Sequence, residues 1–262
     1  MRTPESVVAV HSISSAVRSL LRRSGRDITP FPMPSWFQQR DHLLPMLKAL
    51  RINCVLDVGG HTGEFARFMR SIGYAGEIIS FEPVPENFTE LARLAESDAA
   101  WTVMQLALGR ENGEAEINVT DSTDFSSMLE PNQFCEQQFR GQAVIRRRER
   151  VTVRTLDSIL DSTGRGRQDD LRIFLKMDTQ GRDLDVVEGS LKSLGRVLVL
   201  QTELSFQQLY RDMPVYTQVL SRLKELSFRP TGFFPVTRDH DMRLIEMDCV
   251  LVADRASMRL PV

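Results

Sequence analysis

The segment LKMDTQG carries the residues best suited to acid and base chemistry in this sequence. Lys176 and Asp178 are two positions apart in a run that is predicted to be a strand, so their side chains share one face. An ion pair between them would keep the carboxylate charged, because a nearby cation favours the ionised form of an acid. Asp178 is therefore the first candidate for a general base or an acceptor-binding group. The alternative is that Asp178 caps a helix beginning near Arg182.

Glu203 and His240 complete the set of candidate catalytic groups. Glu203 ends the apolar run VLVLQTEL and can approach Asp178 across neighbouring strands. His240 precedes the last apolar run, and histidine is a common base because its pKa lies near neutrality. An exposed loop position is the competing interpretation for His240. The predicted catalytic residues are Asp178, Lys176, His240 and Glu203.

A metal ion is an alternative use of the same two carboxylates. Asp178 and Glu203 would suit a magnesium ion that binds a sugar diol and lowers the pKa of its hydroxyl. The sequence offers no third ligand at a fixed spacing, so we predict no metal. If magnesium does bind, these two carboxylates are the expected ligands.

A glycine-rich turn, DVGGHTG, follows the apolar run CVLDV. Gly59 and Gly63 allow a ligand to approach the main chain closely, but their spacing does not spell the GxGxxG pattern of dinucleotide-binding proteins. Asp57 precedes them, and a carboxylate there repels a pyrophosphate but pairs with an ammonium group. Glu82 ends the next apolar run, where a carboxylate can accept both hydroxyls of a ribose. Together these residues favour S-adenosylmethionine over NAD.

Strand-like and helix-like segments alternate on both sides of these residues. EIISFEP and WTVMQLALG are predicted strands, and helical segments follow CVLDV and EIISFEP. RIFLKMD and VLVLQTEL resume the alternation, and FRPTGFFPV with LIEMDCVLVA is predicted to be a closing hairpin. This alternation predicts a doubly wound α/β sheet, in which ligands lie at the carboxyl ends of the strands.

The middle of the chain is less regular. GEAEINVT and AVIRRRERVTVRTLDSIL are predicted to form an inserted β-hairpin around a polar active-site loop. Ser126 and Ser127 in that loop can contact cofactor or acceptor, although a surface turn explains them as well. The basic run Arg146 to Arg150 is read as a solvated face, with docking of an acidic acceptor as the alternative.

Composition limits the classes of protein that remain. The 262 residues carry a net charge of -2, which gives no sign of nucleic acid as the main partner. The three cysteines, Cys54, Cys135 and Cys249, lack paired spacing and read as buried thiols of a reducing compartment. No run approaches the roughly 20 apolar residues that span a bilayer. We therefore expect a soluble, cytoplasmic protein, and a homo-oligomer is possible.

Residues 1–37 are predicted to be a helical extension with a proline-rich linker, and residues 38–262 the main domain. The apolar face of the extension comprises Val10, Ile13, Val17, Leu20 and Leu21. The arginines beside it also suit contact with a membrane surface, while Glu5 and Asp27 argue against an organelle-targeting peptide. An accessory helix covering the core or the active site is the first interpretation.

Taken in order, several segments resemble the motifs of FkbM-type S-adenosylmethionine-dependent methyltransferases over roughly residues 38 to 253. These segments are VLDVGGHTGEFA, ISFEPVPENFTEL, QLALG, FSSML, VTVRTLDSIL, LKMDTQGRDLDVVEGS and TELSFQQLY. The resemblance implies a Rossmann-like class I methyltransferase fold with a seven-stranded, mostly parallel sheet and an antiparallel last strand. His61 departs from the asparagine common at its position. The predicted cofactor-binding residues are Asp57, Gly59, His61, Gly63, Glu82, Pro83, Ala107, Ser127 and Asp178.

The resemblance also implies methyl transfer to a hydroxyl oxygen in natural product biosynthesis. The expected acceptor is a sugar on a glycolipid or glycosylated natural product, with a polyketide macrocycle as an alternative. An NAD(P)-dependent oxidoreductase and a non-catalytic Rossmann-like binding protein are the alternatives from other classes. Regiochemistry and the choice between O- and N-methylation have no readable signal in the sequence.

Overall fold

The computed structural model describes residues 35–256, with side chains from Gln38 onward. The strands are β1 Cys54–Val58, β2 Glu77–Phe81, β3 Trp101–Met104, β4 Ala107–Leu108, β5 Gly113–Thr120, β6 Ile145–Arg154, β7 Ile173–Met177, β8 Val197–Ser205, β9 Phe228–Arg238 and β10 Leu244–Ala253. The helices are α1 Ser35–Ala49, α2 Glu64–Ser71, α3 Pro85–Ala95, α4 Gln133–Gln138, α5 Leu156–Ser162, α6 Asp183–Glu188 and α7 Tyr216–Glu225, with 3-10 turns at Thr123–Phe125, Arg165–Arg167 and Ser193–Arg196.

Seven strands form the main sheet in the order β3-β2-β1-β7-β8-β10-β9. β1 is parallel to β2 and β7, and β8 is parallel to β7. β10 is antiparallel to both of its neighbours, β8 and β9. The predicted seven-stranded, mostly parallel sheet with an antiparallel last strand is confirmed. The strand order reverses between β1 and β7, which is where doubly wound sheets bind ligands.

The two central strands are apolar on both faces, because helices cover the sheet from both sides. Alternate residues of β1 enter opposite cores, so Leu56 packs with Leu175 on one face and Val55 with Phe174 on the other. All five residues of β1 and of β7 are buried. Charged side chains at the ends of these strands are therefore held in a dry, rigid frame.

The inserted hairpin is confirmed, since β5 and β6 pair antiparallel. Two other predictions about this region are wrong. WTVMQLALG is not one strand, because the chain leaves the main sheet after Met104 and Ala107–Leu108 pairs with β6 in a second sheet of order β4-β6-β5. The end of AVIRRRERVTVRTLDSIL is the helix α5, which the Thr155 side chain caps by accepting the Ser158 amide.

The predicted N-terminal extension lies outside the described residues except for its last three positions. The helix α1 begins at Ser35, so the end of the proline-rich linker is helical. The sequence predicted no regular helix there. Among the residues that the structure describes, no helix is long and apolar enough to cross a membrane. Cys54, Cys135 and Cys249 are buried free thiols, and burial raises the pKa of each to about 12.

Candidate active site

A cavity of about 820 Å³ opens at the carboxyl ends of the parallel strands, beside the point where the strand order reverses. The glycine turn after β1 and the end of β2 form one side of it. The ends of β7, β8 and β10 form the other. The 3-10 turn Thr123–Phe125 and the following residues of the insert lie over the middle. One cavity thus collects most of the residues that the sequence singled out.

The glycine turn brings the main chain unusually close to β7. Gly59 has a φ of +74°, and a Cβ added there would lie 2.0 Å from the carbonyl oxygen of Asp178. The amides of Gly59 and Gly60 both donate to the carbonyl of Phe81 at 3.0 Å. Gly63 has a φ of +91° and faces Trp101. Since any side chain at Gly59 would collide with main chain, only glycine fits this turn.

Glu82 lies at the floor of the cavity, where β2 ends. Its carboxylate accepts the main-chain amides of His61 and Val84, each at 2.9 Å. Only 4% of the residue is exposed, and burial raises the pKa of the carboxyl group. Oε1 also accepts the side-chain amide of Asn87 at 3.5 Å, while Oε2 retains a lone-pair direction for a ligand hydroxyl.

His61 joins the glycine turn to the insert. Its Nε2 lies 2.8 Å from Oγ1 of Thr123, in the 3-10 turn above the cavity. Its Nδ1 lies 3.4 Å from Glu64, and hydrogen bonding between the two side chains raises the pKa of His61. The same contact lowers the pKa of Glu64 to about 2. His61 therefore lines the cavity as a bridge between two loops.

Asp57 and Lys176 form a buried ion pair beneath the turn, with 3.1 Å between Oδ1 and Nζ. The Asp57 carboxylate also accepts the hydroxyl of Ser80, and Asp57 does not line the cavity. Lys176 donates to the Gly59 carbonyl at 3.1 Å. Burial by itself would lower the pKa of Lys176, but the charges of Asp57 and Asp178 outweigh it and raise that pKa. Contact between Asp57 and a cofactor ammonium stays a prediction.

Gln180 organises the side of the cavity that the ends of β7, β8 and β10 form. Its Nε2 donates to Asp178 at 3.0 Å and to Glu203 at 3.3 Å, so the amide bridges the two predicted carboxylates. The buried Tyr210 hydroxyl donates to Gln180 Oε1 at 2.7 Å and fixes which way the amide faces. Asp178 is 3.7 Å from Lys176, as the spacing predicted.

The alternative role for Asp178, a helix cap, is wrong. The N-cap of α6 is Arg182, which makes no capping bond through its side chain. Asp183 instead holds the entry to this helix by accepting the amide and hydroxyl of Thr179. Asp178 keeps about 40% of its side chain exposed and faces the cavity.

Three cavity residues on β8 and β10 were missed in the sequence. Glu246 and Asp248 project from β10 beside Glu203, and Gln201 projects from β8 on the same face. Oε1 of Glu246 and Oε1 of Gln201 are buried and have no hydrogen-bond partner. Two acidic residues at alternate positions of the apolar run LIEMDC are a readable signal, because alternate residues of a strand share a face.

The remaining predicted cofactor-binding residues line the cavity from several segments of the chain. Pro83 and Ala107 line it from the chain after β2 and from β4. Ser127 is buried, and its hydroxyl donates to the Gln180 carbonyl at 2.7 Å. The insert is thereby tied directly to the residues beneath it.

The structure does not bring His240 into the cavity. It lies in the turn between β9 and β10 with 84% of its side chain exposed, beside Asp241. A hairpin turn extends beyond the sheet, so a loop that precedes a strand in sequence need not face the site.

The arginines of β6 also lie on a solvated face, where Arg146, Arg147, Arg148 and Arg150 each pair with an acidic side chain.

His240→Ala is expected to leave methyl transfer and S-adenosylhomocysteine binding within about twofold of the wild type, because exposed side chains without buried contacts contribute little. Calorimetry and a product assay test this, with His61→Ala as the matched variant inside the cavity. A tenfold loss of methyl-transfer activity in His240→Ala would show that this histidine acts in the site.

Aromatic side chains occur both outside the cavity and along its wall. Phe206 stacks on Tyr216 outside the cavity, with their ring centroids 4.3 Å apart. Phe233 is exposed on β9 away from it. The rings that do line the cavity are Phe65, Phe68, Phe81 and Phe125.

No group of three or more histidine, cysteine, aspartate or glutamate side chains among residues 38–256 has a geometry that could hold a metal ion. Asp178 and Glu203, the pair predicted to bind magnesium if any metal is used, are bridged by the Gln180 amide. The described site thus contains acids and amides for binding hydrogen-bond donors.

This strand order, with its glycine turn and its cavity at the carboxyl ends of the central strands, is the architecture of the Rossmann-like class I methyltransferases. Residues 57–230 match the family model described as the methyltransferase FkbM domain. The chain therefore belongs to the FkbM family and is an S-adenosylmethionine-dependent methyltransferase. The alternatives of an NAD(P)-dependent oxidoreductase and a non-catalytic binding protein are wrong.

Similar solved structures include an rRNA methylase from Streptococcus thermophilus, 9% identical over 84% of this chain and 97% of that chain, with a TM-score of 0.45. Aeropyrum pernix fibrillarin with natively bound S-adenosyl-L-methionine is 12% identical over 83% of this chain and 76% of that chain, with a TM-score of 0.42. No curated protein sequence matches this chain significantly. The family assignment rests on the sequence match.

Proposed function

We propose that this enzyme methylates a hydroxyl of a sugar on a glycolipid or glycosylated natural product. The observation that carries the proposal is the polar strip on β8 and β10, formed by Gln201, Glu203, Glu246 and Asp248. Two of its buried acceptor oxygens have no partner within the protein. Buried acceptors without partners are costly, so a ligand rich in hydroxyl donors suits this strip.

The opposite end of the cavity fits the adenosyl cofactor. The glycine turn lines this end at Gly59 and Gly60, and Oε2 of Glu82 has a free lone pair for a ribose hydroxyl. When bound, S-adenosylmethionine supplies a methyl group on a positively charged sulfur. Asp178 lies between the two ends with its carboxylate exposed to the cavity, so we assign it to acceptor binding and to stabilising that charge.

Charge disfavours a nucleic-acid acceptor at this strip. Four carboxyl groups face the acceptor side, and the nearest ammonium, that of Lys176, is already paired with Asp57. Phosphates approaching these carboxylates would be repelled at short range. Neutral hydroxyl groups, in contrast, donate to carboxylates strongly.

Mass spectrometry of acceptors incubated with the enzyme and S-adenosylmethionine tests this proposal. A panel of glycosides should contain members that gain the mass of one methylene, while their aglycones do not. Tandem spectra should place the added group on the sugar. Methylation of the aglycones, or of none of the glycosides, would contradict the acceptor class.

A polyketide macrocycle is the second candidate acceptor. Phe65, Phe68 and Phe125 give the cavity an apolar wall that would pack against a macrocycle. Macrocyclic lactones with and without attached sugars belong in the same panel, since methylation of the ring itself would favour this candidate.

Glu82→Gln is expected to weaken S-adenosylhomocysteine binding by about 10-fold to 100-fold, because hydrogen bonds to a charged group contribute about 1.5–3 kcal/mol. Calorimetric titration measures the change. Glu86→Gln is the matched control, since Glu86 lies four residues further on, exposed, outside the cavity. Equal affinities in the two variants would reject Glu82 as the ribose ligand.

A further inference from the structure

We propose that Glu246 is the general base of the reaction, and that Glu203 is protonated and donates a hydrogen bond to Glu246. The free Oε1 of Glu246 then accepts the proton of the acceptor hydroxyl. This inference rests on the proposed function, because it requires a hydroxyl acceptor. The sequence pattern indicates Asp178 or His240 as the base and gives Glu246 no role.

The position of Glu246 is the first argument. It lies on β10, opposite Ser205 of β8 and Thr237 of β9, and its side chain lines the cavity. Only 5% of the residue is exposed, and Oε1 has no hydrogen-bond partner. A buried carboxylate oxygen without a partner, facing a cavity, is suited to receive a hydrogen bond from a ligand.

The contact between the two glutamates is the second argument. Glu246 lies directly opposite Thr237 of β9 and diagonally across from Glu203 of β8, so its carboxyl group interacts with both side chains. Two carboxylates have no hydrogen to share, so one member of the glutamate pair must carry a proton. Gln180 donates to Oε2 of Glu203 and leaves the other oxygen of Glu203 for that proton.

The surroundings decide which glutamate keeps the proton. Glu203 is half-buried, and burial together with Glu246, Asp178, Asp248 and Asp183 raises its pKa well above the usual range. Burial, Asp178 and Asp248 raise the pKa of Glu246 to about 7, while the bonds from Thr237 and Glu203 favour its ionised form. Glu246 is therefore the member that ionises near neutral pH, where a general base is most effective.

Other titratable groups face the pair from each neighbouring element. Asp178 follows β7, Asp248 lies on β10, Asp183 begins α6, and the thiol of Cys135 on α4 and the phenol of Tyr210 face Glu246 more distantly. Lys176 is the cation of this neighbourhood, and its ammonium lies 3.1 Å from Asp57. No group in this set supplies Glu246 with a compensating positive charge.

The proton balance of the step is complete. As the acceptor oxygen forms its bond to the methyl carbon, the carbon–sulfur bond breaks and sulfur keeps the electron pair. The hydroxyl proton moves to Oε1 of Glu246. Glu203 keeps its own proton, and Glu246 returns the acquired proton to water when the product leaves.

Infrared spectroscopy tests the shared proton without any acceptor. The carbonyl band of a protonated carboxyl group is separate from carboxylate bands, so difference spectra between wild type and variants reveal it. At pH 7 the wild type should show this band, and it should be weaker in Glu203→Gln and altered in Glu246→Gln. Glu111→Gln, an exposed position outside the cavity, should leave it unchanged. Identical spectra for wild type and Glu203→Gln would overturn the pair.

Kinetics test the base itself. Glu246→Gln should lower kcat by about 100-fold or more while S-adenosylhomocysteine affinity is retained. In the wild type, kcat should rise with pH up to about 7 and then level, because only ionised Glu246 accepts a proton. Glu246→Asp should keep this rise at a reduced rate, and Glu246→Gln should lose it.

A Glu246→Gln enzyme with wild-type kcat, or with the wild-type pH dependence, would refute the assignment. Thermal unfolding and cofactor binding show whether the variant folds, and Glu246→Asp carries the same test if it does not. Failure of the proposed function has a different signature, since wild-type enzyme would then methylate no hydroxyl compound although the infrared band persists.

Discussion

Replacing Gly59 by alanine is expected to weaken S-adenosylhomocysteine binding by more than about 100-fold, which corresponds to about 2.7 kcal/mol. The added Cβ would lie 2.0 Å from the carbonyl oxygen of Asp178, which is main chain and cannot rotate away. Either the turn or the end of β7 must move. Both carry cavity residues, so cofactor and acceptor contacts should suffer together.

Gly73→Ala is the matched control for this prediction. Gly73 also has a positive φ, +91°, but an added Cβ would meet no atom within 4 Å. It should show only the strain of a left-handed backbone, about 1–2 kcal/mol in stability, and unchanged cofactor affinity. Calorimetry and thermal unfolding of both variants separate clash from strain. Similar cofactor affinities in the two variants would show that the turn is not pressed against β7.

Lys176→Met is expected to lower the free energy of unfolding by about 3–5 kcal/mol, because it leaves a buried carboxylate without its cation. Asp57 is fully buried, and Lys176 lies 3.1 Å from it and bonds the Gly59 carbonyl. The double variant Asp57→Asn with Lys176→Met should recover part of the loss, since it removes the uncompensated charge. Lys224→Met, an exposed change on α7, should have little effect.

Denaturant unfolding at several pH values measures this pair directly. The folded-state pKa of Lys176 is raised above its unfolded value of about 10.4. Its stabilising contribution is therefore complete below that value and is lost as the pH rises above it. A Lys176→Met enzyme as stable as Lys224→Met at pH 7 would show that this ion pair contributes nothing to the fold.

Gly59 and Lys176 also explain why the site is rigid. Lys176 bonds the turn at Gly59, and Gly59 packs against the main chain of Asp178. Tyr210 and Ser127 hold Gln180 from the other side, through its side chain and its carbonyl. The carboxylates that face the acceptor are thus fixed by contacts made before any ligand arrives, which is what alignment of two substrates requires.

Sequence alone determined the central sheet and the placement of the glycine turn and Glu82 at the carboxyl ends of its strands. The runs of β1 and β7 are apolar at successive positions, which indicates burial on both faces, and glycines directly after such a run indicate a tight turn at the end of the strand. Asp57 lies near the end of β1, and Gly59 and Glu82 directly follow β1 and β2, so the ends of parallel strands place them at one edge of the sheet. Local pattern is sufficient wherever a residue's position depends only on where its own strand ends.

Tertiary structure decided the acceptor side. Glu246 and Asp248 reach the cavity because β10 inserts antiparallel between β8 and β9, and that register is set by cross-strand bonds between segments distant in sequence. The same hairpin carries His240 away into solvent. The pairing of β4 with β6 likewise divided a run that reads as one strand. Which side chains meet across strands depends on register, and register is a property of the assembled sheet.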